Sequence, residues 1–439
     1  MTQATTILDD HLDDPAGLCI RSDSEFDDVD RSRLEEFQLA AAARLLARQA
    51  HRIPLLAEKL DGRDPAEFDT LERFVDVLFD DGVYKSYDPA VITGAEFGRL
   101  TDWLDRLTSH DLSGVDMHGC DSLTEWCRRL DAQADIFVCH SSGTSGVLSF
   151  VPRSRRDRDL AVDDVVYRHP SLFTPHERND VTFFALGPRR LYRITQAVYD
   201  GLEQRHHANP VQSLPVFHGP EFHIAQGLLR RAAAAGTPAD QLVDPIVAAH
   251  GDEVRRFHRD LPDLTQRWTE NLVENHRGER VYFQGSFDRA WLLTQYLEQM
   301  GLTGAFAPES VFALAGGVKD GSTLPADWSD RFRRATGAGA DNLASTWGMS
   351  EITGGVPRCS AGAHHFRPTI IPFLLEPGTR RPLPRTGART GQIAVLELNS
   401  TDCWGGMITG DRGTVEWDRS CACSRPGPLL DPSSIARLP

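Results

Sequence analysis

Ile136-Phe-Val-Cys-His-Ser-Ser-Gly-Thr-Ser-Gly146 is the stretch of sequence from which the fold is predicted. The apolar run from Ile136 to Cys139 is typical of a buried strand. The six residues from Ser141 to Gly146 combine two glycines with four hydroxyl side chains. Glycines let backbone N–H groups approach an anion closely, and hydroxyl groups add further donors. The stretch therefore predicts a strand that leads into a phosphate-binding loop.

An exposed, flexible Ser/Gly loop is the alternative interpretation of the same residues. The Walker phosphate loop is excluded, because it ends in Gly-Lys-Ser/Thr and the first lysine after Gly146 is Lys319. The strand in front of the loop and two motifs further along the chain favour phosphate binding.

These two motifs are Ser345-Thr-Trp-Gly-Met-Ser-Glu351 and Ile408-Thr-Gly-Asp-Arg-Gly413. The first combines an aromatic face that can stack on a base with a hydroxyl and a carboxylate. The second carries the carboxylate of Asp411, whose two acceptor oxygens suit a vicinal diol. A plain Gly-Asp turn between two strands is the alternative for the second motif, and the order of the three motifs argues against it.

In this order the motifs resemble those of the acyl-adenylate-forming (AMP-binding) superfamily: acyl-CoA synthetases, peptide-synthetase adenylation domains and firefly-type luciferases. Within it, the chain is most similar to phenylacetate–CoA ligases and to the acyl-protein synthetase of bacterial luminescence. The resemblance covers Ile136 to Pro428 in islands. It implies an α/β fold, in which a large N-terminal domain with mainly parallel sheets covered by helices is joined to a small β-rich subdomain.

The resemblance also implies ATP and Mg²⁺ as cofactors and assigns roles to residues. Glu351 and Ser350 are the expected catalytic residues, because Glu351 would hold Mg²⁺ and Ser350 would hydrogen-bond the α-phosphate. Trp347 replaces the tyrosine of the family motif and would stack on adenine, while Asp411 would bind the ribose hydroxyls. The expected nucleotide-binding set is Ser141, Ser142, Gly143, Thr144, Ser145, Gly146, Gly316, Gly317, Trp347, Gly348 and Asp411.

Gly316 and Gly317 belong to this set because they follow the predicted strand Val311–Ala315. In open α/β sheets ligands bind at the carboxyl ends of strands, and a glycine pair there would let the chain lie flat beside adenine. A plain strand-to-loop turn is the alternative.

Alternating strands and helices predict a parallel sheet covered on both faces. In the N-terminal part, the spacing of apolar residues predicts helices over 33–50, Asp69–Phe79 and Ala95–Leu107. The predicted domains are a helical lead (1–130), a nucleotide-binding α/β core (131–375) and a small β-rich subdomain (376–439).

Three cysteines and a histidine form a second candidate site. Cys359, His364, Cys421 and Cys423 would complete a closed tetrahedral Zn²⁺ site of the structural type, and His365 is the alternative to His364. Phenylacetate–CoA ligases have a similar stretch with Cys, Gly-x-His and Cys-x-Cys. Reduced, half-buried cysteines without a metal are the alternative for the whole cluster.

The composition restricts the possible partners and location. The formal net charge of −16 argues against nucleic-acid and anionic-membrane partners. No apolar run is long enough to span a bilayer, and the N-terminus lacks the features of a signal peptide. Eight cysteines without such a signal predict reduced thiols or metal ligands instead of a disulfide framework. We therefore expect a cytoplasmic protein.

Many superfamily members have a lysine shortly after the phosphate loop. In this chain we expect Arg153 or Arg155 to replace it.

The chain departs from the superfamily after Asp411. Most members continue into a small mobile domain that carries a lysine, whereas here 28 residues follow Asp411 and none is a lysine. We expect this lid domain to be absent, which favours a protein or amine acceptor over CoA.

The predicted function is ATP-dependent activation of a small carboxylic acid as an acyl-adenylate, with release of pyrophosphate. The acyl group would then pass to a protein, carrier or amine acceptor, or to CoA. A catalytically reduced nucleotide- or acyl-binding subunit of a larger complex is the alternative. A hydrolase is set aside, because no Gly-x-Ser-x-Gly elbow is evident at a strand–helix turn.

The predicted acyl pocket contains small and polar residues, with Arg189, Arg190 and Arg193 near one wall. This mixture suits a small or functionalised acid better than a long fatty chain. Arginines that face solvent are the alternative.

Overall fold

The computed structural model describes residues 3–438 except 27–28, 142, 144–145, 170–171, 174–178, 180, 207–208, 239–240, 317–322, 424 and 426. The chain forms two compact units. Unit 1 comprises Met1–Cys139, Ser149–Arg168 and Met349–Pro439, and unit 2 comprises His140–Leu148 and His169–Gly348. Unit 1 combines the predicted helical lead with the predicted β-rich subdomain. The sequence-based domain limits stay a prediction.

Helices dominate the N-terminal part of the chain and alternate with strands in its middle. The α-helices are α1 (Gln3–Asp10), α2 (Arg31–Gln49), α3 (Pro54–Leu60), α4 (Ala90–Thr93), α5 (Phe97–Asp105), α6 (Leu123–Ala134), α7 (Arg155–Arg168), α8 (Ile194–Arg205), α9 (Pro220–Ala234), α10 (Pro245–His276), α11 (Phe287–Gln299) and α12 (Trp328–Thr336). Among the helices described, none combines the length and the apolar character that crossing a bilayer requires.

Strands are concentrated in the second half of the chain. They are β1 (Ile136–His140), β2 (Phe150–Ser154), β3 (Thr182–Arg190), β4 (Gln212–His218), β5 (Val281–Gly285), β6 (Val311–Ala315), β7 (Leu343–Trp347), β8 (Val356–Pro357), β9 (His364–His365), β10 (Ile370–Leu375), β11 (Ala388–Glu397), β12 (Gly406–Glu416), β13 (Leu429–Leu430) and β14 (Ala436–Arg437).

Unit 2 is built on a parallel sheet. Its strands lie in the order β4-β3-β5-β6-β7, with parallel pairing of β3 to β4 and β5, of β5 to β6 and of β6 to β7. Helices connect these strands, as parallel pairing requires. Apolar side chains from strands and helices share one core, which includes Phe283, Phe312, Leu293 and Phe332. The predicted parallel, helix-covered sheet is confirmed.

Unit 1 contains an antiparallel sheet in the order β10-β11-β12-β13-β9, with β14 paired to β12. The helical lead joins this sheet through Phe79, whose N–H donates to Gly406 O at 2.9 Å and whose carbonyl accepts from Ile408 N at 2.8 Å. The Trp404 indole, buried in the same region, donates to Val77 O at 2.9 Å. These bonds attach residues 77–79 to the start of β12.

The helical lead follows its sequence pattern in part. The Asp30 side chain accepts from Arg33 N at 2.9 Å and caps α2, and Leu34, Phe37 and Leu45 are buried on one face of this helix. The segment predicted as a helix over Asp69–Phe79 is instead a 3-10 helix over Leu71–Val77. This helix ends where the chain turns to pair with β12.

We expect replacement of Phe312 by Ala to lower the free energy of unfolding by about 3–5 kcal/mol, because it opens a cavity in the core of unit 2. Phe312 is fully buried, and its ring centroid lies 4.9 Å from that of Phe332. The matched control is Phe217→Ala on β4, where the side chain is 61% exposed and the loss stays within about 0.5 kcal/mol. Urea denaturation followed by tryptophan fluorescence measures the free energy of unfolding of both variants. Equal losses of stability in the two variants would contradict the assignment of Phe312 to the core.

Candidate functional site

The Ser/Gly loop follows β1 as predicted and depends on its glycines. Gly143 and Gly146 have φ angles of +67° and +72°, a left-handed backbone conformation that residues with a side chain rarely adopt. Gly146 N donates to Gly143 O at 2.8 Å and closes a tight turn. Ser141 is half-buried. The predicted ligands Ser142, Thr144 and Ser145 lie outside the described residues.

The loop rests on helix α9 at Gly227. A Cβ atom at Gly227 would lie 2.0 Å from Gly143 O and 2.6 Å from Gly146 N, so only glycine allows this approach. One helical turn further on, the guanidinium of Arg231 lies against the loop, where a Cβ at Gly146 would be 2.6 Å from its Nη2. Arg231 is exposed and brings a positive charge to the loop.

The structure places Arg153 and Arg155 against other groups, and their predicted role beside the loop stays a prediction. Arg153 is fully buried and donates to Thr353 Oγ1 at 2.8 Å and to Ser350 O at 3.0 Å. Arg155 lies 3.6 Å from the carboxylate of Asp135. Gly227 and Arg231 are four residues apart and therefore lie on the same face of α9. The sequence alone does not show that this face packs against the loop.

Glu351 is held in place by two residues that the sequence analysis did not identify. The Ser149 hydroxyl donates to Glu351 Oε1 at 2.7 Å. The carboxylate of Glu397 accepts from the N–H groups of Thr353 at 2.9 Å and Gly354 at 2.8 Å. Glu397 is fully buried, and this burial raises its pKa. The two contacts fix the orientation of the half-buried Glu351 carboxylate and the turn after it.

The predicted adenine-binding residues of unit 2 are brought together. Ala315 at the end of β6 pairs with Thr346 of β7, so the next residues, Gly316 and Trp347, are neighbours at the carboxyl edge of the sheet. Trp347 is largely buried, whereas Gly348 is exposed. Gly316 has a φ of +78°, and its predicted companion Gly317 lies outside the described residues.

Asp411 lies within β12, not in the turn that was its alternative interpretation. Its Oδ1 accepts from Arg437 Nη1 at 3.2 Å, and the two residues are paired partners on β12 and β14. The Asp411 N–H donates to Thr409 Oγ1 at 3.1 Å. The carboxylate is therefore fixed on a sheet and carries an arginine partner.

The cysteine cluster forms with His365, which corrects the preference for His364. One potential ligand atom from each of Cys359, His365, Cys421 and Cys423 lies within 4.8 Å of all the others. Cys359 Sγ and Cys421 Sγ are 3.7 Å apart, and Cys423 Sγ is 3.3 Å from His365 Nε2. A tetrahedral zinc with Zn–S bonds of about 2.3 Å needs sulfurs roughly 3.8 Å apart.

His364 is occupied elsewhere. Its Nδ1 lies 2.8 Å from Val356 O, and burial lowers its pKa to about 4. Successive side chains on a strand point to opposite faces, so β9 can direct only one of the two imidazoles to the cysteines.

Comparison with known proteins gives a match only at the level of structure. No family model matches the chain, and no curated protein matches it. A 2-hydroxyisobutyryl-CoA ligase in an open conformation, in complex with 2-HIB-AMP and CoA, matches with a TM-score of 0.54 and 13% identity over 93% of this chain and 76% of that chain.

Two further matches have lower TM-scores. A long-chain-fatty-acid-CoA ligase from Archaeoglobus fulgidus has a TM-score of 0.37 and 11% identity over 69% of this chain and 51% of its own. The adenylation domain of a keto acid-selecting NRPS module, bound to keto acyl adenylate, has a TM-score of 0.37 and 10% identity over the same shares.

The match to the 2-hydroxyisobutyryl-CoA ligase shows that this chain has the fold of the acyl-adenylate-forming enzymes. The resemblance predicted from the three motifs is thereby confirmed as a likeness of fold. So is the predicted α/β architecture with a mainly parallel sheet and additional antiparallel strands.

Replacement of Gly227 by Ala should lower the free energy of unfolding by about 1–3 kcal/mol, because a methyl group there overlaps the loop backbone. Gly98 of α5 is the matched control, since a Cβ there meets no atom within 4 Å. Gly98→Ala should be neutral or stabilising by up to about 1 kcal/mol. Urea denaturation of both variants gives the comparison, and a neutral Gly227→Ala would show that the loop does not rest on α9.

Proposed function

We propose that the chain activates a small carboxylic acid with ATP, forming an acyl-adenylate and releasing pyrophosphate. A carboxylate oxygen attacks the α-phosphorus, and the bond between that phosphorus and the pyrophosphate oxygen breaks. The acyl group then passes to a protein, carrier or amine acceptor, or to CoA. The observation that carries this proposal is the Ser141–Gly146 loop, with its left-handed glycines and the Arg231 guanidinium beside it.

Unit 2 supplies groups for the phosphates and the base. Backbone N–H groups and hydroxyls of the loop would hold the β- and γ-phosphates, and Arg231 would offset their charge. Trp347 would stack on adenine, and the absence of side chains at Gly316 and Gly348 would leave room beside the ring. These groups act by positioning and by electrostatic stabilisation, as in other phosphoryl transfers.

Glu351, Ser350 and Asp411 would serve the metal, the α-phosphate and the ribose. The chemistry of Glu351 fits Mg²⁺, which binds carboxylate oxygens and would reduce the negative charge on the phosphates. Ser149 and the Glu397-bound turn keep this carboxylate oriented. Ser350 would donate a hydrogen bond to the α-phosphate. Asp411 would accept hydrogen bonds from the ribose hydroxyls, and Arg437 would fix its orientation.

ATP–pyrophosphate exchange tests the proposal with a panel of aromatic, amino and short aliphatic acids. Glu351→Gln keeps an acceptor for Ser149 but removes the charge, so we expect exchange to fall on the order of 100-fold or more. Glu309→Gln is the control, since Glu309 is exposed in unit 2, and it should leave exchange unchanged.

Two results would count against adenylation by this chain. ATP binding without exchange for any acid would favour a nucleotide- or acyl-binding subunit instead. Failure to bind ATP, measured by calorimetry, would remove the phosphate-loop assignment itself.

We further propose that Cys359, His365, Cys421 and Cys423 bind one structural Zn²⁺. The observed set has three thiols and one imidazole at distances that suit tetrahedral coordination. All four ligand positions would be filled by the protein. The ion would therefore connect the segment after Glu351 to residues 421–423 and would not activate water.

We expect the purified chain to contain about one zinc per molecule, measured by mass spectrometry of the metal, and a chelator to lower its Tm. His365→Gln should lose the zinc, whereas His364→Gln should retain it although both histidines are buried. Zinc retained in His365→Gln and lost in His364→Gln would restore the sequence-based preference. Zinc absent from the native chain would leave the cluster as reduced cysteines.

A further inference from the structure

A group of positive and polar side chains lies at the carboxyl ends of three neighbouring strands in unit 2. Arg190 ends β3, and its partner in the strand register is His218, which ends β4. The neighbouring strand β5 ends at Gly285, and Arg289 lies in the first turn of the helix that follows it. This edge of a parallel sheet is where α/β proteins bind their ligands. None of these residues has a part in the nucleotide chemistry proposed above.

Arg190 and Arg289 are half-buried, and their guanidinium groups form no hydrogen bond or ion pair with any residue that the structure describes. Burial and the neighbouring charges of Arg193 and Arg289 lower the pKa of Arg190 to about 10. Burial also lowers the pKa of Arg289. An arginine pKa falls only where the cation is poorly compensated. The positive charges of the two guanidinium groups are therefore poorly compensated by the surrounding protein.

Two carboxylates lie near this group: Glu253 Oε1 is 3.4 Å from His218 Nδ1, and Asp288 lies near the two arginines. The charge of Asp288 raises the pKa values of Arg190 and Arg289, yet it forms no ion pair with either within the described part of the chain. Its Oδ1 is buried and has no hydrogen-bond partner there. Two guanidinium groups thus lie near a single carboxylate, Asp288, with which neither forms an ion pair in the described part of the chain.

The neighbouring arginine provides an internal comparison. Arg189 is half-buried like Arg190, but it forms an ion pair with Glu203 and lies 3.6 Å from Asp200. The register of β3 against β4 shifts between Ala185 and Arg189, an irregularity of the kind that redirects side chains. Among the described residues, the guanidinium of Arg189 thus has ion-pair partners and that of Arg190 has none.

Two buried histidines give independent evidence for a ligand. His218 and His223 are 1% and 3% exposed, and the Nε2 atom of each has no partner among the described residues. Their rings lie 6.5 Å apart, and the His223 ring lies 5.2 Å from that of His140, the residue before the Ser/Gly loop. Burial lowers the pKa of His218 to about 4 and that of His140 to about 3. Burial also lowers the pKa of His223. Burial thus favours the neutral imidazoles of His218 and His223, whose Nε2 atoms offer hydrogen bonds instead of charge.

We propose that Arg190 and Arg289, assisted by Arg193 and the buried histidines, bind a second anionic group on the acid substrate. The substrate class is then an acid with one carboxylate to be activated and another negative group, such as a dicarboxylate or a sulfonated or phosphorylated acid. The use of this acid as substrate rests on the proposed adenylation, whereas its binding does not. An unsubstituted aliphatic or aromatic acid would leave the guanidinium groups desolvated and unpaired, which is costly.

Calorimetry in the absence of ATP tests the binding with matched acids: succinate against butyrate and phthalate against benzoate. We expect at least one dianion to bind more tightly than its partner by roughly 10-fold or more, as a charge-assisted hydrogen bond provides. Arg190→Gln should weaken its binding by about 10- to 100-fold, and Arg289→Gln should act in the same direction. Arg189→Gln is the matched control and should leave the affinity unchanged.

The stability of the ligand-free variants gives a second readout. Removal of an uncompensated cation relieves repulsion, so Arg190→Gln should raise the Tm, whereas Arg189→Gln, which breaks the pair with Glu203, should lower it. A purely structural role for Arg190 gives a lower Tm in Arg190→Gln and would overturn the proposal.

The remaining outcomes separate this inference from the proposed function. Equal affinity for each matched pair, or no binding of any dianion, overturns the anion site. The anion site is also overturned if Arg190→Gln weakens the binding of a non-hydrolysable ATP analogue but not the binding of the acids. The arginine cluster would then bind nucleotide phosphates. Dianion binding that depends on Arg190, without ATP–pyrophosphate exchange for any acid, supports the anion site and contradicts adenylation.

Discussion

The parallel pairing of the five strands β3, β4, β5, β6 and β7 is the constraint on which the chemistry of unit 2 depends. Parallel strands all end at the same edge, so residues that are distant in sequence become neighbours there. Trp347 and Gly316 meet because β6 and β7 end side by side, and Arg190 meets His218 for the same reason on β3 and β4. The base-binding and anion-binding groups that we propose therefore share one edge of the sheet, at different strand ends.

In unit 1, the polar groups around Glu351 are positioned by hydrogen bonds to two buried ionisable side chains, Arg153 and Glu397, and not by the alignment of strand ends. The Arg153 guanidinium holds the carbonyl of Ser350 and the hydroxyl of Thr353, and Glu397 holds the N–H groups of the turn that follows. Buried ions are tolerated only when they are hydrogen-bonded. Each of these side chains replaces water around backbone groups that a turn leaves unpaired, and the result is a rigid support for Glu351.

The sequence predicts the parts of the site that are local in the chain. The strand before the Ser/Gly loop, the glycines of that loop and the aromatic residue at a strand end are patterns of a few residues. Arg231 and Glu397 could not be predicted, because each acts on a segment that is distant in sequence and is reached only through packing. Apolar spacing does not distinguish an α-helix from the 3-10 helix that the structure shows over Leu71–Val77. The hydrogen bonds of Phe79, which follows this helix, to β12 decide between them.

The choice between His364 and His365 has a consequence for folding. These residues form a two-residue strand that pairs with Leu429 and Leu430, and so short a strand carries too little alternation of apolar and polar residues to set its own alignment. A shift by one residue would exchange the faces on which the two imidazoles lie. The three cysteines therefore distinguish the alignments: the observed pairing brings His365 to them, whereas a one-residue shift would turn His365 away and present His364. A bound ion would stabilise the observed pairing, in which His365 is its fourth ligand.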